Sequence, residues 1–102
     1  MTTAIIQSLN GIPIRLTSER WVHITEEHCE LAGMREEVLT TVANPLRILA
    51  GTQGEFIAVR TVEQGKFLVV PYREEGTDGF IITAFLTRRI NYLDRRTQVW
   101  PL

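Results

Sequence analysis

Cysteine occurs once in this chain, at Cys29, which excludes an internal disulfide and any zinc site built from several cysteines. Lysine also occurs once, at Lys66, so ten of the eleven basic side chains are arginine. No apolar run approaches the roughly 20 residues that a membrane-spanning helix needs. Met1 to Asn10 has neither a positive n-region nor a small-residue cleavage site, so no signal peptide is expected and a cytoplasmic protein is. Repeats, low-complexity stretches and linkers are missing, which predicts a single domain over 1–102 with its core at about 14–90 and a C-terminal docking tail. Missing as well are a G-x-G-x-x-G loop, a Walker A loop, H-E-x-x-H, an EF-hand loop and a G-x-S-x-G elbow. No cofactor and no metal is therefore expected.

The 102 residues are 44% hydrophobic and 23% charged, the composition of an ordinary core-forming domain. Eleven basic groups nearly balance twelve acids, but unevenly along the chain. Residues 1–44 hold three basic groups against six acids, whereas 45–102 hold eight against six, and Arg88, Arg89, Arg95 and Arg96 fall within nine positions. Arginine's planar fork suits bidentate phosphate recognition.

Ala4 to Leu9 and Ile12 to Leu16 read as short strands joined by the hairpin dipeptide Asn10-Gly11. Thr17-Ser18-Glu19 then supplies a capping hydroxyl and a first-turn acid to a helix whose apolar stripe is Trp21, Ile24, His28 and Leu31. A second helix fits Met34 to Ala43, burying Met34, Val38, Leu39 and Val42 and stopped by Asn44-Pro45. Four strands follow, Leu46 to Ala50, Glu55 to Val62, Lys66 to Arg73 and Phe80 to Thr87, joined by hairpin-length polar loops. The fold class expected is α+β, a two-layer sandwich of two N-terminal helices on one face of a four-stranded antiparallel sheet. The other sheet face is left free for function. Arg88 to Leu102 reads as a short helix or docking tail.

His23 and His28 lie five apart, about 140° round an ideal helix, which does not suit joint ligation of one metal. His28 shares the apolar stripe and reads as a packed residue, as does Cys29 beside it. His23 falls on the other side, near Arg20, Glu27 and Glu30, where an imidazole serves as a general base or acid. Strand alternation separates Arg73 from Tyr72, and groups Thr83 and Thr87 with Ile81 and Phe85.

The segments Leu16-Thr17-Ser18-Glu19-Arg20-Trp21-Val22-His23-Ile24, Lys66-Phe67-Leu68-Val69-Val70-Pro71-Tyr72-Arg73-Glu74 and Gly79-Phe80-Ile81-Ile82-Thr83-Ala84-Phe85-Leu86-Thr87-Arg88-Arg89 resemble small bacterial and phage members of the barnase, EndoU, colicin and RelE-like nuclease superfamily. The resemblance implies two helices before a four-stranded antiparallel sheet, and metal-independent cleavage of RNA. It implies His23 as base or acid, Arg73 as phosphate clamp, Thr83 or Thr87 as donors to phosphate, and Tyr72 stacking on or donating to the RNA. Arg15, Arg20, Arg60, Lys66 and Arg88 are further RNA-binding candidates. A toxin-like member is held by an antitoxin or inhibitor protein, so RNA and such an inhibitor are the partners expected, with no membrane. The competing expectation is a non-catalytic interaction domain that uses the free sheet face and the tail residues Tyr92 and Trp100.

Overall fold

Asn10-Gly11 turns the chain as its sequence requires. In the computed structural model, which describes residues 3–102, the Gly11 N–H donates to the Ser8 carbonyl at 2.9 Å. Gly11 has φ 77°, a conformation that costs glycine nothing. The turn pairs β1 (Ala4–Gln7) antiparallel with β2 (Pro13–Leu16). Helix α1 (Ser18–Glu27) starts where the Thr17 hydroxyl accepts from the Arg20 N–H at 3.0 Å. It stops earlier than the apolar stripe predicts. His28 caps it, a 3-10 turn (Cys29–Leu31) follows, and that turn buries Leu31 but leaves Cys29 exposed rather than packed. Helix α2 (Arg35–Ala43) buries Val38, Leu39 and Val42, with Met34 partly buried against the same core.

β3 (Arg47–Ala50), β4 (Phe56–Glu63) and β5 (Lys66–Glu75) then form the meander that their short loops dictate. The strand expected over Phe80 to Thr87 is broken into β6 (Asp78–Ile81) and β7 (Phe85–Thr87), both antiparallel to β5. Between the pairs Tyr72–Ile81 and Val69–Phe85, β5 has two residues, Val70 and Pro71, and the opposing chain three, Ile82 to Ala84. Proline has no N–H to donate, and the extra residue makes a bulge. The bulge reverses the alternation: Ile81 and Leu86 now share one face, and Phe85 packs on the other. Thr87 therefore parts from Ile81.

The chain closes with α3 (Ile90–Asp94) and β8 (Gln98–Trp100), which pairs with β3. The sheet order is β1-β2-β6-β5-β4-β3-β8, with β7 on β5. All pairs are antiparallel except β2 with β6, where Arg15 lies opposite Phe80. The chain is thus α+β, but not the expected four-stranded antiparallel sheet beneath two N-terminal helices; the described residues form three helices and an eight-stranded mixed sheet. The N-terminal hairpin joins through a parallel contact and the C-terminal segment adds an edge strand. Neither pairing has a local sequence signature.

The sheet buries both faces. Ile14, Leu16, Leu68, Val70, Tyr72, Ile81 and Ala84 meet α1 and α2 on the first face. On the second, Leu49, Ile57, Val59 and Val69 meet Leu93 of α3, which is fully buried. Part of the face expected to be free is thus covered by the chain's own tail. The Arg47 Nη1 lies 2.9 Å from Asp94 and ties α3 to β3. Among the described residues, no helix is long and apolar enough to cross a membrane.

Candidate functional site

β2 and β6 are parallel neighbours, so both end on the same side of the sheet, and α1 begins where β2 stops. A cavity of about 460 Å³ lies there, lined by Thr3, Arg15, Thr17, Arg20, Phe80 and Ile81. Ile14, Leu16 and Ile81 face the helices, so Arg15 and Phe80 face the opposite way. Arg73 pairs with Phe80 from β5, and Tyr72 beside it is buried, which puts Arg73 on that same second face. One row across three strands therefore reads Arg15, Phe80, Arg73. Phe80 is 38% exposed, a large apolar ring left in water at the register position between Arg15 and Arg73.

Arg15 forms an ion pair with Asp78, both side chains being nearly half exposed. Such a pair contributes about 0–1 kcal/mol, so it yields readily to a phosphate. Arg20, in the first turn of α1, enters no ion pair among the described residues. On the far side of Arg73 stands Glu55, whose carboxylate is held below its usual range. The Gln53 N–H, donating at 2.8 Å, is the main cause, followed by the Glu55 N–H and then by the charges of Arg73 and Arg96.

α1 runs from this cavity along the interrupted strand: Arg20 and Ile81 line the cavity, and at the other end the His28 ring is 6.1 Å from that of Phe85. His23 is exposed on the middle turn of α1. His23 is three residues beyond Arg20, the spacing of neighbours on a helix surface. The structure thus brings Arg15 and Arg20 to one cavity, with His23 exposed one turn farther along α1, Thr83 in the bulge between β6 and β7, and Arg73 on the second face.

The remaining expected residues lie elsewhere. Tyr72 is 1% exposed and packs against Phe56 at 5.7 Å between ring centres, so it offers no stacking surface. Burial, and secondarily the charge of Glu74, pushes its hydroxyl pKa well up. Glu74 itself accepts hydrogen bonds from Ser8 and Asn10. Arg60 lies on the helix side, in a cavity of about 280 Å³ that also contains Glu36 and Glu37. Lys66 and Arg88 share Glu63, at 3.8 and 3.3 Å. The Thr87 hydroxyl accepts from the Arg89 N–H at 3.1 Å. Phe80 was not among the expected site residues. Its signal was an aromatic residue on the strand face opposite Ile81, legible only once the helix side of that strand is known.

Among the described residues, no three His, Cys, Asp or Glu side chains group to hold a metal. The chain matches no family model, no curated protein and no solved structure.

Proposed function

We propose that this protein is an endoribonuclease that cleaves single-stranded RNA by attack of the ribose 2′-hydroxyl, without a metal ion. The observation that carries the reading is the convergence of Arg15, Arg20 and the exposed Phe80 on one cavity, one helical turn from the exposed His23. Phosphate is recognised by paired guanidinium forks, a base by an aromatic face, and the 2′-hydroxyl proton by an imidazole. The superfamily resemblance of the sequence segments agrees with this activity, although the sheet is not the one that the superfamily implies.

In this mechanism His23 takes the 2′-hydroxyl proton and the 2′-oxygen attacks the adjacent phosphorus. The bond from phosphorus to the 5′-oxygen breaks, and that oxygen takes up a proton from solvent. The products carry a 2′,3′-cyclic phosphate and a 5′-hydroxyl. Arg15, released from Asp78, and Arg20 stabilise the charge that builds on the phosphoryl oxygens, and Phe80 holds a neighbouring base. Arg73, next to Phe80, holds a flanking phosphate.

The test is incubation of labelled mixed-sequence RNA with the purified protein in excess EDTA. Cleavage with 2′,3′-cyclic ends is expected, and His23→Ala is expected to slow it by about 10²–10⁴-fold, the usual worth of a general base. Absence of cleavage over a range of salt and pH, or full activity in a folded His23→Ala variant, sinks the reading.

A further inference from the structure

We propose that the cleft formed by Arg88, Arg89, Asn91, Tyr92 and Arg95 is a second RNA-contacting site, which holds a base and its phosphate from the same single strand outside the cleavage cavity. This rests on the RNA reading above, but uses different residues: none of the five lines the cavity at β2 and β6. The cleft encloses about 350 Å³ where the chain leaves β7 and turns into α3.

Three observations point to this occupant. The cleft is strongly cationic: Arg89 and Arg95 enter no ion pair among the described residues, and Arg88 has only an exposed pair with Glu63. Asp94, the carboxylate of α3, is drawn away to Arg47. Secondly, Tyr92 is 45% exposed, an aromatic ring set among these cations. Thirdly, a neighbouring arginine orients the ring. The Arg96 guanidinium carbon lies 5.4 Å from its centre, and Arg96 Nη2 donates to the Tyr92 hydroxyl at 3.1 Å. A ring oriented in advance loses little freedom when a base stacks on it, and the free guanidinium forks suit a phosphate. An acidic peptide would satisfy the cations but make no use of the oriented ring.

The test is fluorescence anisotropy of a labelled single-stranded 12-nucleotide RNA with 2′-O-methyl riboses, which cannot be cleaved, over a series of salt concentrations. Beside the parent stand the double variant Arg89→Ala/Arg95→Ala, Tyr92→Leu, and Arg20→Ala in the cleavage cavity. The double variant is expected to bind at least about tenfold more weakly at low salt, with the slope of log K against log salt reduced by about 0.7, the value for one single-strand phosphate contact. Tyr92→Leu is expected to weaken binding by about tenfold with the slope unchanged, since stacking releases no counterions. Cleavage of a dinucleotide, too short to reach both sites, is expected to be unaffected by either.

Binding equal to the parent's in both variants overturns the second site, whatever the protein does to cleavable RNA. So does an equal loss of dinucleotide cleavage, which would place these residues at the reacting phosphate. Weakened binding by a protein that cleaves nothing leaves the second site standing and removes the nuclease reading. Failure of the parent to bind the oligonucleotide removes both.

Discussion

Gly79 shows how one residue fixes the placement of the site. A Cβ built there would lie 2.3 Å from the Arg73 carbonyl oxygen and 2.6 Å from Ile14 Cδ1. β6 can approach β2 and β5 this closely only with hydrogen at that position, and the approach brings Phe80 between Arg15 and Arg73. Gly79→Ala should therefore destabilise the fold by about 1–3 kcal/mol through overpacking, read as a lower midpoint in urea. It should also weaken RNA binding more than Gly65→Ala, which strains the backbone at φ 77° but at a hairpin away from the cavity. Tyr72 gives a prediction in pH. Its hydroxyl pKa is raised by burial above the ordinary 10.0, so the folded state disfavours the phenolate. The stability this contributes is complete below pH 10 and is lost as pH rises above it, because the unfolded chain releases the proton first. Tyr72→Phe should flatten the fall in stability above pH 10, as read in denaturant titrations at pH 8 and pH 11. An equal fall in both proteins would show that other groups set the alkaline limit.

At the level of elements, most of the helices and strands announce themselves in the sequence, and the pairings that build the site do not. The Asn10-Gly11 turn, the Thr17 cap, the Pro45 stop and the short β3–β4–β5 loops are local signals, and the structure uses each of them. The parallel contact of Arg15 with Phe80 joins residues 65 positions apart and leaves no periodicity to read. The bulge at Ile82–Ala84 depends on Pro71, on a different strand. His23 and Arg20 could thus be nominated from their helix face, whereas Phe80 could not, since nothing near it in sequence says which side the helices cover. The tail is another such case: Arg88 to Leu102 reads in sequence as a short helix or docking tail, but not as one that docks on its own sheet. Leu93 is fully buried against Leu49, Ile57, Val59 and Val69. Leu93→Ala should destabilise the protein by about 2–4 kcal/mol by the lost burial and the cavity left behind, measured by chemical denaturation. An effect below about 1 kcal/mol would mean that α3 is dispensable to the fold.

Over the whole molecule, the unevenness of charge in the sequence becomes an unevenness in space. Glu19, Glu26, Glu27, Glu30, Glu36 and Glu37 all belong to the helical layer on the first face. The arginines of the C-terminal segment gather around α3, beyond the second face. A formal net charge of -1 therefore conceals a polar molecule, and net charge alone is a poor argument against a polyanionic partner. Within a body of 37 × 32 × 22 Å, the acidic layer lies only a few Debye lengths from the cationic face at ordinary ionic strength, where the screening length is about 8–10 Å. An RNA strand that approaches the helical layer at low salt is repelled by these carboxylates. Glu36→Gln/Glu37→Gln removes two such charges from exposed positions on α2, a different helix from His23, that line neither the cavity at β2 and β6 nor the α3 cleft. Association with a 12-nucleotide RNA, followed by stopped-flow fluorescence, should become severalfold faster at 20 mM salt and converge with the parent's rate by 300 mM, with dissociation unchanged. Faster association that persists at high salt would mean that these glutamates meet the RNA directly, and would move the binding face from the sheet to the helices.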